Sequence, residues 1–185
     1  MVNRRTLLSS IGTVGTVAVA GCSSSDNDTS SDDEEEEPET ITHQIGDTFT
    51  VGEGDRAIKY TINSAETYET IGGEFTQEEP DGIFLVVQME LTNQGDESFS
   101  VSTAAYSALD SNGNSFDPDS GAGVYLDQDS RIEAEAISFD QLNPGLSTDG
   151  ALVFDVPEDE EMRLRIEPTG WLDDSASHDV ELGGT

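Results

Sequence analysis

The chain of 185 residues is long enough for one folded domain with a hydrophobic core. Its 40 Asp and Glu residues oppose only 7 Lys and Arg, for a formal net charge of -33, and this acidity excludes nucleic acid as a partner. The single cysteine excludes an intrachain disulfide and a multi-cysteine zinc site. The composition resembles that of proteins from extreme halophiles, in which salt screens the carboxylates; an acidic surface protein from an ordinary organism is the alternative.

Residues 1–21 have the pattern of an export signal. Arg4 and Arg5 precede an uncharged stretch over residues 6–21, which is shorter than the roughly 20 apolar residues that a membrane-spanning helix needs. The arginine pair resembles a twin-arginine signal, with an ordinary secretory signal as the alternative. We therefore predict a signal peptide rather than a permanent transmembrane helix.

The end of this signal resembles a lipobox. Val19, Ala20 and Gly21 are the small residues of a cleavage site, and they precede Cys22, the only cysteine. A two-chain lipid on this cysteine would anchor the mature protein stably. The sequence therefore predicts lipidation of Cys22 and a place at the extracytoplasmic face of the cell membrane.

Residues 22–40 form an acidic linker between this cysteine and the domain. The stretch contains no large apolar residue and carries a block of like charges, so it cannot bury enough surface to fold. We predict a disordered tether. Asn27 begins a glycosylation sequon in this accessible place, and whether it is modified stays open.

Residues 41–185 have the alternating pattern of an all-β domain. Residues 57–63 (AIKYTIN) and 162–167 (MRLRIE) alternate apolar and polar side chains, whereas residues 83–87 are apolar on both faces and predict a central strand. Further short strands, separated by turn residues, are predicted around residues 99–101, 104–109 and 152–156. About seven or eight strands favour an Ig-like antiparallel β-sandwich, although the antibody Cys-Trp-Cys core is absent.

Three stretches also resemble a known family: GIFLVVQMELTNQGDESFSV (82–101), ALDSNGNSFD (108–117) and LNPGLSTDGALVFDVPEDEEMRLRIEP (142–168). They are similar to the Ig-like, telokin-like lipoprotein domain known as domain of unknown function 4352, which is common on bacterial and haloarchaeal surface lipoproteins. The resemblance implies an Ig-like sandwich over roughly residues 45–168, and the family has no established catalytic residues. The stretch 118–137 departs from the pattern, and its path is not assigned.

Oxygen-bearing side chains recur through DSNGNSFDPD in a pattern that resembles the start of a calcium loop; they belong to Asp110, Asn112, Asn114, Asp117 and Asp119. An EF-hand loop would have Gly and Glu where this chain has Ser115 and Gly121. The alternative is a hairpin with a type I′ turn at Asn112-Gly113. Weak cation binding is the hypothesis and the turn is the main interpretation.

The two histidines, His43 and His178, lie near opposite ends of the domain sequence and match no spaced metal motif. No cysteine remains in the domain to complete a copper site, so we predict no cofactor. IGGEF, residues 71–75, resembles the signature of diguanylate cyclases, but the other elements of that α/β enzyme are absent. We interpret it as a flexible loop.

Four aromatic side chains are candidates to anchor a partner: Tyr68, Tyr106, Tyr125 and Trp171. Only Tyr68 and Tyr125 fall in stretches that look like loops, and core or rim packing is the usual place for all four. The resulting hypothesis is a non-enzymatic, surface-anchored binding or accessory module whose partner is another surface or membrane protein. The alternatives are a solute- or ion-binding lipoprotein serving a transporter and a small extracytoplasmic hydrolase, whose carboxylate pair would be hidden among the many acids.

Replacement of Cys22 by Ser removes the predicted lipid attachment point, so the Cys22→Ser chain should appear in the soluble fraction while Ser24→Ala, the control, stays with the membranes. Cell fractionation at native salt checks this. Retention of the Cys22→Ser chain on membranes would contradict the lipobox assignment.

Replacement of Arg4 and Arg5 by Lys tests the export route. The charge is kept but the twin-arginine pattern is lost, so the precursor should accumulate inside the cell. Normal export of the double variant would indicate the general secretory route instead.

Overall fold

The structure is a computed structural model that describes residues 40–100, 102–137, 141–168 and 175–185. The predicted signal, Cys22, most of the tether and Trp171 lie outside the described residues. In chain order the strands are β1 Thr40–Gln44, β2 Thr48–Val51, β3 Ile58–Tyr68, β4 Ile71–Gly73, β5 Thr76–Glu78, β6 Ile83–Asn93, β7 Phe99–Ser100, β8 Tyr106–Leu109, β9 Ser115–Phe116, β10 Gln141–Leu142, β11 Ser147–Val156, β12 Glu161–Ile166 and β13 Ser177–Gly184. One short helix, α1 (Ser120–Gly123), and three 3-10 turns (Gly54–Arg56, Thr103–Ala105, Leu126–Gln128) are also described.

Two sheets form the sandwich, which confirms the predicted all-β class. The first has the order β1-β13-β12-β8-β9, and the second has the order β11-β6-β3-β2. The strands β4 and β5 form a separate hairpin, and β7 pairs with β10. All pairs are antiparallel except β1 with β13, which run parallel. Among the described strand pairs, this parallel pair is the one departure from the predicted antiparallel arrangement, and it lies at the edge where the first strand is beside the last and no hairpin joins them.

Within the described residues the strands number thirteen rather than seven or eight, because several are only two or three residues long. In the predicted strand at residues 104–109, the first two residues belong to a 3-10 turn and the last four form β8. The two alternating stretches behave as predicted. In β3 the side chains of Ile58, Tyr60 and Ile62 point into the core, and β12 buries every second side chain in the same way.

The second sheet is buried on both faces where β6 pairs with β11. Leu85 and Val87 of β6 belong to the core between the sheets, whereas Phe84 and Val86 belong to a second apolar cluster on the opposite face. This arrangement confirms the prediction of a central strand from the continuous apolar run, because β6 lies between β11 and β3.

Residues 118–137, whose path the sequence did not predict, cover this second face. Ala122, Leu126 and Ile132 pack into the second cluster. The same segment also bonds along the free edge of β11: the Asp119 N–H donates to the Val153 carbonyl at 2.7 Å, with further backbone bonds nearby. The segment thus covers both an apolar face and an open sheet edge, which would otherwise be exposed to water or to another strand. We call it the covering segment.

Candidate functional site

The predicted cation loop is a turn built around one carboxylate. Asp110, 2% exposed, accepts hydrogen bonds from the backbone N–H groups of Asn112 and Asn114, both at 2.8 Å, and from the Asn114 side-chain amide at 2.6 Å. These bonds, above all the one from the Asn114 side chain, lower the pKa of Asp110. Of the turn residues only Gly113 has a positive φ, so the predicted type I′ turn is wrong.

The other members of this set do not join Asp110. Asp117 is exposed, and the carboxylate of Asp119 accepts from the Ala122 N–H at 2.9 Å, where it caps α1. Among the described residues no three His, Cys, Asp or Glu side chains are grouped so that they could hold a metal ion. The five predicted oxygens are therefore not brought together around one point.

The IGGEF stretch is an ordered hairpin, which corrects its interpretation as a flexible loop. Ile71 is fully buried in the second cluster, and β4 pairs with β5 over three residues on each strand. Gly72 is required there, because its φ is +132° and a Cβ at that position would lie 2.3 Å from the Thr76 carbonyl oxygen. At the tip Phe75 is 95% exposed, the most exposed large apolar side chain among the described residues.

The base of this hairpin is held by an ion pair of the covering segment, in which the carboxylate is buried and the arginine is about half exposed. The Asp129 side chain is 2% exposed, and its carboxylate accepts the Gly72 N–H at 3.1 Å. Arg131 donates to both Asp129 oxygens, at 2.8 Å and 2.5 Å, and also to the Thr70 carbonyl at 2.6 Å. The hydrogen bonds from Arg131 lower the pKa of Asp129 to about 2, so the carboxylate stays charged and the hairpin stays attached.

The described aromatic candidates differ in burial and in their position on the strands. Tyr68 is the last residue of β3 and not a loop residue. The guanidinium carbon of Arg131 lies 5.4 Å from the centroid of the Tyr68 ring, and the Tyr68 hydroxyl donates to the carboxylate of Glu66. Tyr106 is buried, with its hydroxyl 3.2 Å from that of Tyr60, and it cannot contact a partner. Tyr125 is half-buried beside the second cluster. Sequence reasoning overlooked Phe75, since a Phe in a Gly-rich stretch has no feature that indicates exposure.

The two histidines, far apart in sequence, meet at the edge of the first sheet. His43 on β1 and His178 on β13 are 135 residues apart, yet His43 Nε2 lies 2.8 Å from His178 Nδ1. The ring planes differ by 4° and the centroids are 5.1 Å apart. A ring nitrogen lies about 1.2 Å from its centroid, so the rings are nearly coplanar and the hydrogen bond lies along the line between them. The parallel β1–β13 pair creates this contact, and the sequence-based prediction missed it.

An aromatic ring covers one face of the histidine pair. Phe49 stacks on His43 with a centroid distance of 3.9 Å, and it also lies 5.2 Å from His178 with nearly parallel planes. Burial lowers the pKa of both imidazoles, and in His178 the charge of His43 lowers it further. Asp47 opposes the effect at His43. At neutral pH both rings are therefore neutral and share one N–H between them.

Several concave regions mark the described surface, and two of them are candidate solute sites. A cavity of about 200 Å³ between α1 and β11 is lined mainly by apolar surface, including Val124, Ile137 and Leu152. Ligand sites usually have volumes of about 300–1,000 Å³ and a few convergent polar groups, which this cavity does not match. An open groove of about 630 Å³ across the ends of β12 and β13 is lined by residues such as Glu161, Arg163 and Glu181, with no aromatic residue in its described lining.

The comparisons with known proteins agree with this fold. The crystal structure of the yjhA protein from Bacillus subtilis is 20% identical, with a TM-score of 0.55, and the match covers 75% of this chain and 98% of that one. A secreted protein from Mycobacterium tuberculosis, MPT63, is 12% identical with a TM-score of 0.53, over 77% of this chain and 97% of that one. Among curated proteins none matches the sequence.

The fold and these matches define a small β-sandwich module. Residues 43–176 match the family described as domain of unknown function, DUF4352. This match covers more than half of the chain, so the protein belongs to that family, and the predicted family is confirmed. In the described part of the chain no helix is both long and apolar enough to cross a membrane.

Replacement of Asp129 by Asn tests the hairpin base. The variant loses the charge-assisted bonds to Arg131, and we expect its free energy of unfolding to fall by about 2 kcal/mol at pH 7. Urea titration in constant molar salt measures the loss. Asp127→Asn is the control, because Asp127 is exposed in the same segment and its replacement should change little.

The pH dependence of this loss provides a second check. The pKa of Asp129 in the folded protein, about 2, lies below its ordinary value, so its stabilising contribution is complete above about pH 4 and disappears as the pH falls to about 2. The difference between the wild type and Asp129→Asn should therefore shrink over that range. A difference that is unchanged at pH 2 would contradict this role of the carboxylate.

Proposed function

We propose that the protein is a lipid-anchored, extracytoplasmic, non-enzymatic binding module that docks another surface or membrane protein through the β4–β5 hairpin. Export through Arg4 and Arg5, lipidation of Cys22 and display on the acidic linker 22–40 belong to this proposal, as does life at high salt. They are supported by the sequence patterns, by the charge balance and by the resemblance of the sequence to a domain that is common on surface lipoproteins.

The observation that carries the proposal is the exposure of Phe75 on an ordered support. A phenylalanine that is 95% exposed gains little from the folded domain, whereas burial in a partner would remove its apolar area from water. Interface hot spots are often aromatic side chains of this kind. Because Ile71 and the Asp129–Arg131 pair fix the hairpin base, little conformational entropy is lost when the tip is bound.

The charges around the tip indicate what kind of partner it fits. Glu74, Glu78 and Glu79 are exposed on or beside the hairpin. An apolar pocket with a rim of Lys or Arg would complement an aromatic anchor surrounded by carboxylates. An acidic protein surface or an anionic lipid surface would repel the carboxylates of the hairpin. The partner is therefore a protein with an apolar pocket and a basic rim.

A solute-binding role has less support. The cavity between α1 and β11 is small and largely apolar, and the groove at β12 and β13 is open and lacks aromatic lining among the described residues. Neither has the enclosed, partly polar character of a small-molecule site. The protein-docking hairpin thus takes precedence over the transporter-associated alternative.

Site-specific photo-crosslinking in the native cells tests the docking role. With a photoreactive residue at position 74 of the full chain, we expect one membrane-fraction protein to be crosslinked. The additional change Phe75→Ala should reduce that product at least about tenfold, as expected for a hot spot worth about 2 kcal/mol. Leu146→Ala is the matched control, because Leu146 is also an exposed large apolar residue, at 54%, but lies outside the hairpin.

The Leu146→Ala chain should give the same yield of crosslinked product as the wild type. The partner identified by mass spectrometry should have basic residues next to an apolar pocket. Equal yields from the Phe75→Ala and Leu146→Ala chains would remove the hairpin as the docking site. The absence of any crosslinked protein at position 74 would contradict protein docking by this hairpin altogether.

A further inference from the structure

The attachment of strand β1 to the domain depends on one side chain. Of the five residues Thr40–Gln44, four are exposed and only His43 is partly buried. Ile41 is 41% exposed and the following Ile45 is 38% exposed, so neither belongs to the fully buried core. Apart from backbone pairing with β13, this edge strand is therefore held mainly by the stacking of His43 on Phe49 and its hydrogen bond to His178.

The hydrogen bond is compatible with at most one added proton. In the neutral pair one imidazole donates its N–H to the lone pair of the other, and a singly protonated pair keeps an N–H and a lone pair facing each other. With both rings protonated, two N–H groups and two positive charges would meet at 2.8 Å, so the rings would have to separate. His178 is only 7% exposed and Phe49 covers the pair, so water provides little stabilisation of these charges.

We propose that the His43–His178 pair is a pH-sensitive latch, which fastens strand β1 to the domain at neutral pH and releases it on acidification. Because the linker 22–40 ends at Thr40, the first residue of β1, release would lengthen the proposed tether by the other four residues of the strand, or roughly 13 Å of extended chain. It would also expose the edge of β13. The latch itself rests on the geometry of the pair and is independent of the docking role of the hairpin.

The other ionisable groups near the pair do not provide the same response. Asp47, on the turn between β1 and β2, accepts the Gln44 N–H at 2.9 Å and favours protonation of His43. Tyr60 packs behind Phe49, and burial raises its pKa to about 12, so it stays protonated throughout. In β13 the side chains of Asp179 and Glu181 lie on the face opposite to that of His178. On that face the Asp179 carboxylate accepts hydrogen bonds from Arg163 and Arg165.

The direction of the pH effect follows from the lowered pKa values of the two histidines. The folded protein binds fewer protons at these imidazoles than the released strand does, so the latch is complete above the ordinary histidine pKa of about 6.5. Its contribution is lost progressively as the pH falls below that value. The ordinary pKa values of Asp and Glu are about 4, so a transition in the histidine range is distinguishable from one caused by carboxylates.

Hydrogen exchange of the full chain in detergent at constant molar salt tests the latch. We expect the protection factors of those amides within residues 41–44 that pair with β13, corrected for the intrinsic rate at each pH, to fall about tenfold or more between pH 7.5 and pH 5. The amides of β6 should keep their protection over this range, because β6 is buried on both faces. A β1 protection factor that does not change with pH would overturn the proposal.

A matched double variant separates the histidines from all other groups. His43→Gln and His178→Asn place side-chain amides near the two bonded ring nitrogens, so a hydrogen bond is kept while neither group titrates. Protection of β1 in this variant should be independent of pH between 7.5 and 5, and the same fall as in the wild type would overturn the proposal.

If the double variant does not fold, a pH titration of nitrogen chemical shifts in the wild-type protein provides the same test. The shifts of the two bonded ring nitrogens and of the β1 amides should then follow one common titration. A β1 transition that follows the carboxylates instead of the imidazoles would also overturn the latch.

Discussion

Burial of β6 and β11 on both faces is the constraint that links the sandwich to its candidate docking site. Phe84 and Val86 cannot be left in water without losing about 1.5–3 kcal/mol each, so the covering segment 118–137 must lie over them. The position of that segment fixes Asp129, and Asp129 with Arg131 fixes the base of the β4–β5 hairpin. The exposed Phe75 is thus connected to the most deeply buried strand through a short series of direct contacts.

Cationic side chains are scarce in this domain, and most of its arginines pair with buried carboxylates. Residues 40–185 contain one lysine and four arginines, and three of these arginines bond to just two carboxylates, Asp129 and Asp179. Both carboxylates are almost completely buried, where an unpaired charge would be expensive. The third buried acid, Asp110, is satisfied by N–H donors of its own turn. Three of the five cationic side chains are therefore used to neutralise buried carboxylates, and the rest of the surface is left strongly acidic.

Periodicity in the sequence was sufficient to predict the strands β3, β6 and β12, whereas β1, β2 and β13 were not predicted individually. The alternation of β3 and β12 and the continuous apolar run of β6 are local patterns that follow directly from burial on one face or on two. The covering segment was not predictable in this way. Its only helix has four residues, and its apolar side chains have no period, because they fill a surface defined by other strands.

The candidate sites depend on long-range contacts even more strongly. The histidine pair exists only because β1 and β13 run parallel, and nothing in the residues around His43 indicates a partner at His178. The hairpin at IGGEF contains strands of three residues with two glycines, which local propensity assigns to a loop. Its order comes from Ile71 in the second cluster and from Asp129, both of which are tertiary effects.

The central claim is that Phe75 is presented by a rigid hairpin and not by a mobile loop. Backbone ¹⁵N relaxation of the amides at residues 71–78 measures this most directly. If the second cluster and the Asp129–Arg131 pair hold the hairpin, its order parameters should be about 0.85, like those of β6. Values below about 0.6 across the hairpin, with β6 still rigid, would contradict the account.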